Sequence, residues 1–287
     1  MNKKIAWVTD STAYIPDELS NHPDLYVIPL SITFSSGTYE DGVTLSTQQL
    51  YDNIRREKEV PKTSQPSNGR FAELFETLKE KGYDAAVAVH VSADLSGTAA
   101  SCRAGAEIAE FPVEVVDSKS MSVAITRLIE IGMQLEEKQI DYKEIAQTLR
   151  EEARKIENYL LLGSLDQFYK GGRMTGTQYL LGSLLSIKPI IRIFDGKFEL
   201  FEKVRSEKRA TKRLLELFDQ ANKRNVIEKV YIMHGNVIDK ALAYKEELLK
   251  IYPTIKEVVV CELTATIGVH AGEGTVALAW ANSEAQF

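Results

Sequence analysis

Three short, continuously apolar runs stop at hydroxyl and carboxylate side chains, and this alternation constrains the fold more than any other feature. Ile5-Ala6-Trp7-Val8-Thr9 runs into Asp10-Ser11-Thr12, and Val113-Glu114-Val115-Val116 runs into Asp117-Ser118. Between them, Ala85-Ala86-Val87-Ala88-Val89 runs through His90-Val91-Ser92 to Leu95-Ser96-Gly97-Thr98. Segments of helical period fill the intervals. Strand and helix in repetition read as a doubly wound, mainly parallel α/β sheet with right-handed crossovers. In such a sheet ligands bind beyond the carboxyl ends of the strands, so the three segments converge on one crevice. Hydroxyls and free N–H groups at helix starts donate hydrogen bonds where the helix dipole is positive. The pattern suits a small acid.

Local signals divide the chain further. A second apolar run, Leu25-Tyr26-Val27-Ile28-Pro29-Leu30, continues to Phe34. Ser46 with Gln49 three residues on opens a helix as a capping box, with Leu50 and Ile54 on one face. Ser67 opens another, which carries Phe71, Leu74, Phe75 and Leu78 and ends at Gly82. Two helices with charged outer faces are predicted between Met121 and Ile156. After Tyr159 the character changes. Asp195-Gly196 between two alternating runs predicts a hairpin with a type I′ turn, and a helix is predicted from Ser206 to Arg224. The expectation is an N-terminal α/β domain over 1–158 and a C-terminal α/β domain with antiparallel strands over 159–287, with the ligand between them.

Composition removes several classes of function. A length of 287 residues allows a substantial core. A net charge of −6, from 35 basic and 41 acidic side chains, argues against a nucleic-acid surface. The apolar runs fall short of the ~20 residues a membrane helix needs, which argues against stable insertion and leaves transient membrane contact open. Met1-Asn2-Lys3-Lys4 leads directly into a strand, so the cytoplasm is the expected location. Cys102 and Cys261 lie in apolar-periodic segments and read as reduced, partly buried thiols. Four histidines without paired ligand spacing argue against a metal site. No P-loop occurs and no Gly-x-Gly-x-x-Gly follows the first strand, so neither ATP nor another cofactor is expected.

Four further segments carry chemistry. Lys62-Thr63-Ser64-Gln65-Pro66-Ser67 precedes a helix; Gly171-Gly172-Arg173 follows Leu165-Asp166-Gln167-Phe168-Tyr169-Lys170; Lys188-Pro189-Ile190 leads into the hairpin. Ile267-Gly268-Val269-His270-Ala271-Gly272-Glu273-Gly274-Thr275 reads as a glycine-rich turn around a lone histidine. On spacing alone, Thr63 and Ser64 either cap the helix near Ser67 or contact a ligand. Pro66 holds residue 65 extended and keeps both hydroxyls out of that helix. Ser96, Gly97 and Thr98 open a helix, where a cap and a bound carboxylate use the same N–H groups. Asp10 and Asp117 are read as loop-ordering residues, because a second anion would repel a bound acid. His90 is read as core, and His22 and His234 receive no role.

Taken in order from Asp10-Ser11-Thr12 to Gly274-Thr275, these motifs resemble the DegV family, which includes the fatty-acid-binding subunit of bacterial fatty acid kinase. The resemblance implies two domains clasping one long-chain fatty acid, with no catalysis by the carrier itself. It implies delivery of the acid to a separate ATP-dependent kinase subunit for acyl-phosphate formation, a step toward phospholipid synthesis. By the same resemblance Thr63 and Ser96 hold the carboxylate, His270 lies near it, and Arg173 serves phosphotransfer or kinase docking. Val269, Ala271 and Glu273 depart from the family pattern, in which threonine, threonine and proline are common. The apolar stretch Leu180-Leu181-Gly182-Ser183-Leu184-Leu185 is a candidate for the acyl tunnel. Two alternatives stand beside this reading: an acyl hydrolase or transferase using Ser96 or Ser118 as nucleophile, although no Gly-x-Ser-x-Gly elbow is present, and a carrier of another amphipathic acid with a regulatory role.

Overall fold

Three sheets organise the chain. The computed structural model describes residues 3–174 and 188–282. The first sheet is fully parallel, in the order β2 (Leu25–Ile28), β1 (Ile5–Asp10), β6 (Ala85–His90), β7 (Val113–Asp117). Side chains alternate across it. Ala6, Val8, Ala86 and Ala88 pack on Phe71, Phe75 and Cys102 of α3 (Asn68–Glu80) and α4 (Thr98–Ile108). Trp7, Val87 and Val89 face the opposite way, toward α5 (Val123–Glu137) and α6 (Tyr142–Glu152). Helices on both faces make the doubly wound architecture that the sequence predicts.

The second sheet has six strands in the order β10 (Lys197–Val204), β9 (Lys188–Phe194), β8 (Ile156–Leu161), β13 (Val276–Ala281), β11 (Lys229–His234), β12 (Glu257–Glu262). All its pairings are antiparallel except β11 with β12. Residues 158 and 159, on either side of the expected domain boundary, both lie within β8. The helices α8 (Glu207–Arg224) and α9 (Ile238–Ile251) cover one face over Tyr159, Leu161, Ile190 and Trp280. On the other face one apolar cluster runs from Trp7 and Val87 through Leu128 and Ile129 of α5 to Leu160, Ile191 and Tyr231. The third sheet is small and antiparallel, in the order β4 (Gly37–Glu40), β3 (Ser31–Phe34), β5 (Lys62–Ser64). It shares a core with α2 (Thr47–Glu57) and α10 (Ala265–Ala271), built from Ile32, Phe34, Leu50, Tyr51 and Val269. The short α1 (Asp17–Ser20) and α7 (Leu165–Lys170) complete the described elements.

Local predictions hold where the chemistry is local. Ser46 and Gln49 form the capping box of α2, and Ser67 and Ser206 cap α3 and α8. Asp195 and Gly196 both have positive φ, at 45° and 85°, as a type I′ turn requires. Both cysteines are free and buried.

Three expectations are corrected. The apolar run 25–34 is two strands in different sheets: Pro29, which has no N–H for a ladder, separates β2 from β3. The charged outer face expected on the first of the helices between Met121 and Ile156 is confined to its second half, at Glu130, Glu136 and Glu137, because the first half of α5 is buried in the core that both large sheets share. Its Arg127 is buried and bonds Glu152 of α6 at 2.9 Å. The segment around His270 is helical through Ala271, and the glycine-rich turn begins only at Gly272, whose φ of 83° ends α10.

Candidate functional site

The carboxyl ends of β1 and β6 meet α10, α7 and β5 around a cavity of about 480 Å³. That volume falls within the range of small-molecule sites, which is roughly 300–1,000 Å³. Its apolar wall is Leu30, Val91, Met121, Leu160, Phe168 and Phe198, and its polar end carries Thr63, Ser96, Arg173 and His270. Ser64 and Gly97 also line it. The residues come from widely separated stretches of the chain.

Each polar group has a structural reason for its place. Thr63 is the middle residue of β5 and pairs with Ile32 of β3, so neither Thr63 nor Ser64 caps α3, a role that Ser67 fills. Thr63 is half-buried and Ser64 exposed. The Thr63 hydroxyl lies 2.9 Å from His270 Nε2. His270 sits in the last turn of α10, with Nδ1 buried and without a hydrogen-bond partner among the described residues. That nitrogen faces Gly171, where any Cβ would collide with the ring. Glycine is therefore required at the end of α7 for the histidine to fit. Burial, and then the Arg173 charge, push the His270 imidazole down to about 3, so the ring is neutral at pH 7.

Ser96 stands just before α4, its hydroxyl 2.8 Å from that of Thr98 and within 3.3 Å of the Thr98 N–H. Thr98 is buried behind Ser96 and does not line the cavity. Arg173 is half-buried; its guanidinium donates to the Gly171 carbonyl at 2.6 Å and to the Leu95 carbonyl at 2.9 Å. It therefore ties the Ser96 loop to the end of α7. Among the described residues it bonds no carboxylate, and burial lowers its pKa. A cation in the wall beside a neutral imidazole and two hydroxyls makes this end of the cavity suited to an anion.

Asp10 behaves as a loop-ordering residue. Its carboxylate accepts from the Thr12 N–H and hydroxyl at 3.0 and 2.6 Å, from the Val91 N–H at 3.0 Å and from His90 Nδ1 at 2.9 Å. Asp117 accepts from the Lys119 N–H and pairs with the Lys119 ammonium. Three polar lining residues, Thr12, Gln65 and Thr266, were not assigned to the site from the sequence. Thr12 is fixed by Asp10, and Gln65 donates to Ser101 on α4 at 2.9 Å. The Thr12 signal was present, since it closes the first strand-end motif. The tunnel candidates Leu180 to Leu185 lie outside the described residues. Of the three departures from the family pattern, Val269 and Ala271 are buried in α10, and Glu273 pairs with Arg55 of α2.

Among the described residues no helix is long and apolar enough to cross a membrane. Among the described residues neither candidate nucleophile is hydrogen-bonded to a base: the Ser96 hydroxyl bonds Thr98, and Ser118 is fully buried and donates to the Ser120 carbonyl.

Comparison with known proteins agrees with this architecture. A DegV domain-containing protein of Listeria monocytogenes is 36% identical over 286 residues, covering 98% of this chain and 99% of the relative. The crystal structure of a fatty acid binding DegV family protein from Streptococcus agalactiae superposes with a TM-score of 0.89 at 30% identity, covering 98% of this chain and all of the other. The Streptococcus pneumoniae Fatty Acid Kinase B3 protein, loaded with linoleic acid, shares the fold at a TM-score of 0.83 and 18% identity, covering 98% of this chain and 100% of its own. The family pattern described as "Uncharacterised protein, DegV family" matches residues 4–283. With that match spanning nearly its whole length, the chain belongs to the DegV family.

Proposed function

We propose that this chain is a carrier that encloses one long-chain fatty acid and presents its carboxylate to a separate ATP-dependent kinase subunit for acyl-phosphate formation. The observation that carries the reading is the cavity in which Thr63, Ser96, Arg173 and His270 close one end of an apolar chamber. The similar Streptococcus agalactiae structure is described as fatty acid binding, which supports the same ligand class. Magnitudes divide the labour. Each buried methylene contributes about 0.8 kcal/mol, so a chain with ~14 of them brings on the order of 10 kcal/mol gross. Taking a carboxylate out of water costs several kcal/mol unless it is paired and hydrogen-bonded. The apolar wall supplies affinity, and the polar end holds the head group and sets its direction.

In this reading the acyl chain lies between domains of residues 1–158 and 159–287. With the proton on Nε2, neutral His270 donates to Thr63 Oγ1, and the Thr63 hydroxyl turns its own proton toward the carboxylate. Ser96 supplies a second donor. Arg173 supplies positive charge, which matters most as a phosphoryl group arrives. The carrier works in the cytoplasm and feeds phospholipid synthesis.

Native mass spectrometry and solvent extraction of the purified protein test the first half: one acyl chain per monomer is expected. No acyl chain, with no uptake of added oleate or palmitate, overturns it. Acyl-phosphate formation on mixing with a kinase subunit and ATP tests the second half.

A further inference from the structure

We infer that Asp41 is a positioning residue for the head-group site, setting the distance between Thr63 and His270 by capping α10 from a remote part of the chain. The inference rests on the carrier reading for its ligand but not for its geometry. α10 begins after Thr264, whose side chain makes no cap hydrogen bond. Its first N–H groups therefore need another acceptor. Asp41 provides it across more than two hundred residues: Oδ1 accepts from the Ala265 N–H at 3.1 Å and Oδ2 from the Thr266 N–H at 3.2 Å. The carboxylate is 3% exposed, and its remaining bond, to the Ser11 hydroxyl at 3.0 Å, reaches the loop that ends β1. Ser11 in turn accepts from the Leu30 N–H at 3.0 Å.

The backbone of Asp41 directly follows β4, the strand that ends at Glu40 in the small sheet that carries Thr63. Its N–H donates to the Leu30 carbonyl at 2.9 Å, Glu40 pairs with Ser31, and Ile32 pairs with Thr63. One residue thus fixes the sheet holding the hydroxyl and, through its side chain, the helix holding the imidazole. Thr266 and Ile267, next to the capped N–H groups, line the cavity with His270. Loss of the cap frees α10 to shift relative to β5. A buried carboxylate whose pKa burial raises is retained here because three donors converge on it.

The test uses delipidated full-length protein, Asp41→Ala and Asp41→Asn, with oleate as the probe ligand and the histidine ring signals followed by NMR. Asp41→Ala should weaken oleate binding about tenfold and move the His270 signals toward an ordinary titrating imidazole. The signals of His90, the last residue of β6 in the parallel sheet, should stay where they are. Asp41→Asn keeps one acceptor but turns an NH₂ toward a backbone N–H, so it should fall between the two. A folded Asp41→Ala with wild-type His270 signals overturns the inference. Should the alanine variant not fold, the asparagine variant decides by the same signal, an unchanged His270 again overturning it. A wild-type protein that takes up no oleate defeats the carrier reading alone, because the His270 signals still report on Asp41.

Discussion

His90 and His270 are held by the protein in opposite ways, one in each half of the fold. His90 is fully buried at the end of β6 and shares a hydrogen bond with the Asp10 carboxylate. Burial works against its charge, yet the adjacent Cys102 and Asp10 hold the imidazolium up to about 9. His270 lines the cavity with no carboxylate bonded to it among the described residues, and burial with the Arg173 charge keeps it neutral. One histidine completes an ion pair that organises the strand ends; the other places an uncharged imidazole in the cavity wall. The contrast separates scaffold from site more sharply than burial does.

The largest expected effect breaks the scaffold side. Asp10→Ala removes one member of a buried pair and orphans the Thr12 and Val91 N–H groups, which should cost about 3–5 kcal/mol of stability in chemical denaturation. His270→Ala should cost far less stability while weakening fatty-acid binding. Equal destabilisation by the two variants would erase the distinction.

Next in size are the hydroxyls. Thr63→Ala and Ser96→Ala should each weaken fatty-acid binding roughly tenfold to a hundredfold, the range for a hydrogen bond to a charged group. Titration calorimetry on delipidated protein measures this, and thermal melts should show both variants folded. Binding at the wild-type level by both would move the head group elsewhere.

The pH dependence of stability carries both histidines. His90 is raised in the folded state, so its contribution is complete below the unfolded value near 6.5 and is lost as pH rises through about 9. His270 is lowered, so its contribution is present above about 6.5 and is lost as pH falls toward about 3. Denaturation curves across this range should show the acid loss shrink in His270→Ala, and the alkaline loss should remain. The smallest effect sharpens the electrostatics. Arg173→Ala should raise the His270 pKa modestly, since burial is the larger cause, and leave His90 unmoved. An unaltered His270 titration would show that the guanidinium does not act on the ring.

Local chemistry explains what could be read in advance. The capped helices at Ser46, Ser67 and Ser206 and the Asp195-Gly196 hairpin each depend on neighbours in sequence, and each stands as predicted. The parallel sheet was legible because Trp7, Val87 and Val116 sit in runs that only two-sided burial explains. The small sheet was not, because its strands are three or four residues long and depend on pairing at a distance. The helix around His270 was hidden for the same reason: Gly268 and Gly272 suggest a turn, and the acceptor for its first N–H groups is Asp41. Family resemblance selected Thr63, Ser96, Arg173 and His270; geometry brought in Gln65 and Thr266, and gave Thr12 of the first strand-end motif its place in the wall.

The most direct measurement follows the head group itself. Oleate labelled with ¹³C at the carboxyl carbon, bound to delipidated protein, should give one slowly exchanging resonance of an ionised carboxylate. That resonance should shift in Thr63→Ala and in His270→Ala, and stay in place in a variant of the remote surface, such as Lys212→Ala on α8. A bound resonance unaffected by Thr63 and His270, or no bound resonance at all, would contradict the account.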